Sequence, residues 1–329
     1  MLPLPTPIPL DRIKDARRRI QSEIIKTPIM KLNWEDSPAE IYLKPENLQA
    51  IGSFKIRGAT NAMAKAPSQL LEKGVYTASA GNMAQGVAWY ARKKNIPCTV
   101  IVPDHAPKTK LDAISRLGAQ YKKVPFAQWW QVLVERNDPD TEGFFIHPVS
   151  DLEVIAGNGT IGLEILEDIP DVNTIIVPYG GGGLASGIAS AVKAIRPEVK
   201  VFASEVHTAC PLSASLKAGK PTEVSYTPSF VDGIGSTSIL AEMWPLVSTL
   251  LTDSIVTKPS QIAEAIKLLV ERSRLITEGA GASSVAAALT GQAGSGKIAC
   301  VISGGNIDQN ILRMILSENY PNIKDANEP

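Results

Sequence analysis

Aromatic side chains are scarce in this chain, at 5% of its 329 residues. A core must therefore be built from aliphatic residues, and the chain is too long for one ordinary small domain. Charge of one sign is also lacking, since Lys+Arg and Asp+Glu both total 33. That balance gives no electrostatic reason to expect nucleic acid or an anionic membrane as partner. No uninterrupted apolar run is long enough to span a bilayer. Cysteine is limited to Cys98, Cys210 and Cys300. An odd number of widely spaced cysteines argues against a disulfide frame and for reduced, buried thiols in a cytoplasmic protein. The start, Met1-Leu2-Pro3-Leu4-Pro5, has no basic stretch followed by an apolar one and reads as an extended lead-in, not a signal peptide.

What is present is a repeated alternation. A helical pattern runs from Asp11 to about Lys26. Short aliphatic runs at Ile41–Leu43, Val75–Ala78, Cys98–Val102, Phe144–Ile146 and Thr174–Val177 are each followed by a helical stretch, starting near Lys55, Asn82, Thr109, Leu152 and Leu184. Val199–Ala203 and Ala299–Ile302 add two more strands, and the segment Gly219 to Thr237 reads as a long ordered loop. Continuous apolar strands alternating with helices predict an α/β fold with parallel sheets covered on both faces. In such sheets ligands bind where strand ends lead into helices.

Four sequence signals fall on those loops. Gly180-Gly181-Gly182-Gly183-Leu184 follows a strand and opens a helix, so its amides can converge on a phosphate at the positive end of a helix dipole. Four glycines alone also suit a flexible turn. A dinucleotide fingerprint is the competing reading, with Gly180, Gly182 and Gly187; its third glycine is misplaced, and neither Glu198 nor Glu205 makes a good ribose partner. Lys55 follows Phe54, lies between Gly52 and Gly58, and sits where a helix begins. The dipole there disfavours a structural cation and lowers the amine pKa, which favours a nucleophile; a solvated lysine is the plain alternative. Ser79-Ala80-Gly81-Asn82-Met83 can bind a carboxylate or simply cap a helix. Ser303-Gly304-Gly305-Asn306 can offer one hydroxyl to a ring nitrogen or form an ordinary turn. A reactive amine and an anion cradle together suit pyridoxal 5'-phosphate, an aldehyde that carries a phosphate.

These four segments, with Val102-Pro103 through Lys110, Gly118-Ala119 and Ile155 to Thr160, resemble the serine/threonine dehydratase family of fold-type II pyridoxal-phosphate enzymes, over about the whole chain. The resemblance implies two interlocked open parallel-sheet domains, as in tryptophan synthase β. Residues 1–73 and 149–329 would form the large domain and 74–148 a small mobile one. Lys55 would hold the cofactor through an imine and remove the substrate α-proton. Gly180 to Gly183 and Leu184 would cradle the phosphate, Asn82 would bond the phenolic oxygen, Phe54 would pack on the ring, and Ser303 would meet the ring nitrogen. Ser79, Ala80, Gly81, Asn82 and Met83 would hold the substrate carboxylate, with Ser79 also in the catalytic set. The reaction implied is β-elimination from a 3-hydroxy amino acid to a 2-oxo acid and ammonia, by a homodimer acting on a small amino acid.

Departures refine this expectation. Ala80 stands where serine racemases carry a second serine, so little racemisation is expected. Glu205 and Ala209 match a family metal motif whose third position is here Pro211, so no metal is expected. The chain stops near Pro329, which leaves no room for the regulatory domain of long threonine dehydratases. Met83 replaces a histidine and, with Val149, Ile234 and Gly235, suggests a less polar site for a larger β-substituent, β-phenylserine being one candidate. The rival readings are a β-replacement synthase, a serine racemase-like enzyme, a non-catalytic pyridoxal-phosphate carrier and a nicotinamide-dependent oxidoreductase.

Overall fold

In the computed structural model, which describes residues 6–318, there are ten strands, seven of them at the aliphatic runs named above. They are β1 (Met30–Lys31), β2 (Glu40–Pro45), β3 (Val75–Ala78), β4 (Cys98–Pro103), β5 (Gln120–Val124), β6 (Phe144–Phe145), β7 (Thr174–Pro178), β8 (Lys200–Val206), β9 (Asp253–Thr257) and β10 (Lys297–Ile302). The helices are α1 (Leu10–Ile20), α2 (Lys55–Lys65), α3 (Ser68–Leu71), α4 (Asn82–Lys94), α5 (Lys108–Arg116), α6 (Phe126–Glu135) and α7 (Leu152–Asp168). They continue with α8 (Gly183–Ile195), α9 (Pro211–Ala218), α10 (Trp244–Leu250), α11 (Pro259–Leu268), α12 (Gly279–Leu289) and α13 (Gln309–Leu316). The lead-in Met1 to Pro5 lies outside the described residues.

Two sheets result. One has six strands in the order β1-β2-β10-β7-β8-β9, and the other has four in the order β5-β4-β3-β6. All pairs are parallel except β1 with β2. The four-stranded sheet is built wholly from chain lying between β2 and β7, so the larger sheet is interrupted in sequence by the smaller one. The central strands β7 and β3 are buried at every position, as a sheet covered on both faces requires. One aliphatic cluster packs α1, α7 and α8 on one face of the large sheet, and a second packs α11 and α12 on the other.

Two expectations need correction. Helix α1 ends at Ile20, short of the expected Lys26. Ile13, Ala16 and Ile20 make its buried stripe, but the next residues are recruited elsewhere. Ile25 exchanges two hydrogen bonds with the Gln49 amide, Thr27 Oγ1 donates to Glu46 Oε1 at 2.7 Å, and Pro28 disfavours helix at the preceding residue. Cys98 and Cys300 are buried free thiols, whereas Cys210 is only half-buried, before the first turn of α9. The segment from Gly219 to Thr237 has no helix or strand, as expected, and is tied down by Val224 N–H donating to Thr237 O at 2.8 Å.

Candidate active site

The loops at the carboxyl ends of the strands meet around one space. Residue Lys55 opens α2, and its neighbour Phe54 is fixed to the end of β10 by Phe54 N–H donating to Ser303 O at 3.0 Å. Close helix contact brings the next loop alongside: a Cβ on Gly86 of α4 would lie 3.1 Å from the Lys55 carbonyl. That approach sets Ser79 to Asn82 beside the lysine. Ser79 Oγ accepts from Gly81 N–H at 3.2 Å, and a Cβ on Gly81 would meet nothing within 4 Å, so the loop has an open face.

The Lys55 amine donates to the Pro148 carbonyl at 2.8 Å and lies 5.3 Å from the centre of the Phe54 ring. Its pKa is pushed down to about 8 by burial, against a smaller upward pull from Glu278. Loss of water, and not only the helix dipole expected from the sequence, lowers it. Val149, next to Pro148, lies against the glycine loop. A Cβ on Gly181 would fall 2.5 Å from Val149 Cγ2, and one on Gly183 would fall 2.5 Å from Val149 O. Gly182 has φ +93°, a left-handed conformation that favours glycine.

On the other side, a Cβ on Gly180 would lie 3.3 Å from Gly233 O, and one on Gly233 would lie 3.5 Å from Glu278 Oε1. Glu278 Oε1 accepts from Asn82 Nδ2 at 2.8 Å, and Asn82 Oδ1 accepts from Asn306 Nδ2 at 2.8 Å. Lys55, Val149, the glycines, Gly233, Glu278, Asn82 and Ser303 therefore close a ring. Burial and the nearby Asp232 push the Glu278 pKa up to about 7, with the Asn82 hydrogen bond opposing them. Lys110 on α5 reaches across to Asp232 at 2.6 Å.

Most residues singled out from the sequence are on this ring: Phe54, Lys55, Ser79, Ala80, Gly81, Asn82, Gly180 to Gly183, Leu184 and Ser303. Met83 differs. Its side chain is 1% exposed and belongs to the aliphatic core of the small sheet, so only its backbone is near the cleft. Glu278, and His147 directly before Pro148, were not singled out from the sequence. Glu278 precedes an alanine-rich helix with no periodic cue, and His147 sits in an irregular turn.

An aldehyde phosphate fits the residues present. Ser186 Oγ, Asn158 Oδ1 and Tyr179 Oη are buried without a hydrogen-bond partner, and all three belong to the glycine loop's surroundings. Side chains in place of these glycines would fill the cradle or collide with Val149. By contrast, Gly187 is consumed by packing: a Cβ there would sit 2.3 Å from Ile155 O. Glu205 is spent accepting from Leu212 N–H, Ser213 N–H and Ser254 Oγ, and Glu198 pairs with Arg196. The nicotinamide fingerprint thus lacks both its third glycine and its acid.

Comparison with known proteins decides the matter. The model of the pyridoxal-phosphate dependent enzyme family matches residues 20–304. The chain belongs to that family. Pyridoxal phosphate is its cofactor, and its fold is that of the fold-type II enzymes. The chain is 41% identical over 316 residues to L-threonine ammonia-lyase of Thermotoga maritima, covering 94% of this chain and 79% of that one. It is 37% identical to the catabolic L-threonine dehydratase of Escherichia coli K12, covering 92% and 94%. The structure of maize serine racemase superposes with a TM-score of 0.85 at 33% identity, covering 95% and 98%. Among the described residues of this pyridoxal-phosphate enzyme, no group of three or more His, Cys, Asp or Glu is placed to hold a metal, and no helix is long and apolar enough to cross a membrane.

Proposed function

We propose that this enzyme is an ammonia-lyase for 3-hydroxy amino acids, which loses water from the substrate and yields a 2-oxo acid and ammonia. The observation that carries the reading is the Lys55 amine, brought to a pKa of about 8 and held at 2.8 Å by the Pro148 carbonyl, whose neighbour Val149 abuts the glycine loop. Relatives named threonine ammonia-lyase and threonine dehydratase support it.

In this reading Lys55 would hold the cofactor, and its amine would take the substrate α-proton. Gly180 to Gly183 and the Leu184 amide hold the phosphate. Ser79 to Met83 supply backbone N–H groups and a hydroxyl for the substrate carboxylate. Asn82, held by Glu278 and Asn306, would present its amide to the phenolic oxygen, while Phe54 would pack on the ring and Ser303 would offer its hydroxyl to the pyridine nitrogen. The bound cofactor supplies an electron sink for the α-carbon. The same reading takes residues 74–148 as a small mobile domain on 1–73 and 149–329, in a cytoplasmic homodimer.

The β-substituent is read as bulky and apolar, because Val149 and Ile234 flank the glycine loop on its two sides. With L- and D-serine, threonine and β-phenylserine as substrates, and 2-oxo acid as the readout, kcat/KM for phenylserine should exceed that for threonine by about ten-fold, the scale of apolar pocket discrimination. Equal values would remove the aryl preference. No 2-oxo acid from any of them would remove the lyase reading.

Ala80 bears on the other outcome at the same carbon. A methyl group cannot return a proton, so racemisation should be near background. Ala80→Ser should raise conversion of L- to D-serine at least about ten-fold, a modest share of what a placed acid or base contributes. Chiral chromatography checks it, and an unchanged background would show that side-chain identity at residue 80 is not what limits racemisation.

A further inference from the structure

His147 follows β6 and is 2% exposed, yet both ring nitrogens are in use. Nδ1 accepts from Val149 N–H at 3.1 Å and from Ser150 N–H at 2.9 Å. The other nitrogen donates to the backbone of Leu133 on α6. Two amides on Nδ1 require the tautomer with its proton on Nε2. Burial, with Arg136 and Lys55 nearby, pushes the imidazole pKa down to about 3, so the ring stays neutral. A histidine kept only to fill volume would not need this arrangement.

The turn folded around His147 touches both halves of the cofactor site. Its first residue, Pro148, provides the carbonyl that accepts from Lys55 Nζ, and its second, Val149, abuts Gly181 and Gly183. Its third is pinned from outside, because Ser150 Oγ accepts from Arg136 at 2.6 Å and donates to Glu242 at 3.0 Å. We propose that His147 is a positioning residue: by holding the Pro148–Ser150 turn it sets where the Lys55 amine stands relative to the glycine loop. The inference rests on the reading that Lys55 and that loop hold the cofactor.

The test uses cofactor-stripped protein and added pyridoxal phosphate. The amine condenses with the aldehyde and releases one water; the rate is followed by visible absorbance, and the site by borohydride reduction and peptide mass. Affinity for pyridoxine 5'-phosphate, an alcohol that cannot condense, reads the cradle alone. His147→Leu should slow attachment by about ten-fold or more, since a displacement of 1 Å can cost about a hundred-fold, and should weaken pyridoxine phosphate several-fold. His147→Asn keeps a side-chain oxygen able to accept from the second and third residues on. It should attach within about three-fold of wild type, although it loses the Leu133 bond and melts as low as the leucine variant.

Equal slowing in both variants, tracking their melting temperatures, would overturn the inference, as would a wild-type rate in His147→Leu. If His147→Leu does not fold, His147→Gln takes its place with the same expectation, because the longer arm cannot close the turn. Wild-type protein that attaches the cofactor at another lysine would instead defeat the reading beneath it.

Discussion

Lys55→Ala is expected to leave a colourless, folded protein with 2-oxo acid formation reduced by about a thousand-fold or more. The size follows from the two roles proposed for one amine. A positioned base alone contributes about 10² to 10⁴-fold, and covalent attachment of the cofactor is lost as well. Folding should survive. The amine is desolvated, which is why its pKa falls to about 8, and Glu278 offsets only part of that cost. Removing it takes away a destabilising burial along with one hydrogen bond to Pro148, so the melting temperature should stay within a few degrees. The checks are an absorbance spectrum after adding pyridoxal phosphate, a coupled assay and a melting curve. A variant that keeps both the visible band and turnover would sink the assignment of Lys55.

The neighbourhood of Lys55 was legible for a physical reason. A glycine-rich loop between a buried strand and a helix leaves a mark in composition, and four such marks fell on one edge of the sheets. Lys55, Asn82, Gly180 to Gly183 and Ser303, the residues proposed to hold the cofactor, were all singled out that way. Residues that act through a turn leave no such mark. His147 comes from a segment with neither period nor glycine bias, and Glu278, although Gly279 and Gly281 follow it, comes after an irregular stretch with no apolar strand before it; only their hydrogen bonds reveal them. Met83 misled in the opposite direction, since its place in the motif put it in the cleft while helix α4 turns its side chain into the core. Strands at sheet edges were missed as well. In β5, Gln120-Tyr121-Lys122-Lys123-Val124, only Val124 is buried, and lysines suit an exposed edge. The helical pattern expected to reach Lys26 counts Ile25 as an apolar position, but Ile25 is half exposed and its backbone bonds go to Gln49.

Arg57 stands two residues after Lys55, and its replacement should produce the largest loss of stability. Its guanidinium is fully buried and donates to Glu46 at 2.7 and 2.8 Å and to Glu164 at 2.6 and 2.9 Å. Lys44, also buried, donates to Glu164 at 2.6 Å, so two cations balance two carboxylates and tie α2 to β2 and α7. Arg57→Met strands one carboxylate without its partner. Breaking a buried pair in this way costs about 3–5 kcal/mol, and at about 2–4 °C per kcal/mol the melting temperature should fall by at least about 6 °C. Arg57→Lys should recover little, because an ammonium cannot bridge two carboxylates as a planar fork does. The pH dependence separates this cause from lost packing. In the wild type Arg57 holds the Glu46 pKa below its ordinary value, despite an upward push from burial that is larger than any other single influence. That carboxylate therefore contributes stability above its unfolded pKa, which is lost as the pH falls through the folded one. Without Arg57, burial dominates and the folded pKa rises, so protonation relieves the stranded charge. The deficit of Arg57→Met should shrink between pH 7 and pH 5, and adding Glu46→Gln should recover part of it at pH 7. A deficit that is constant with pH and untouched by Glu46→Gln would mean that Arg57 matters for its volume and not for its charge.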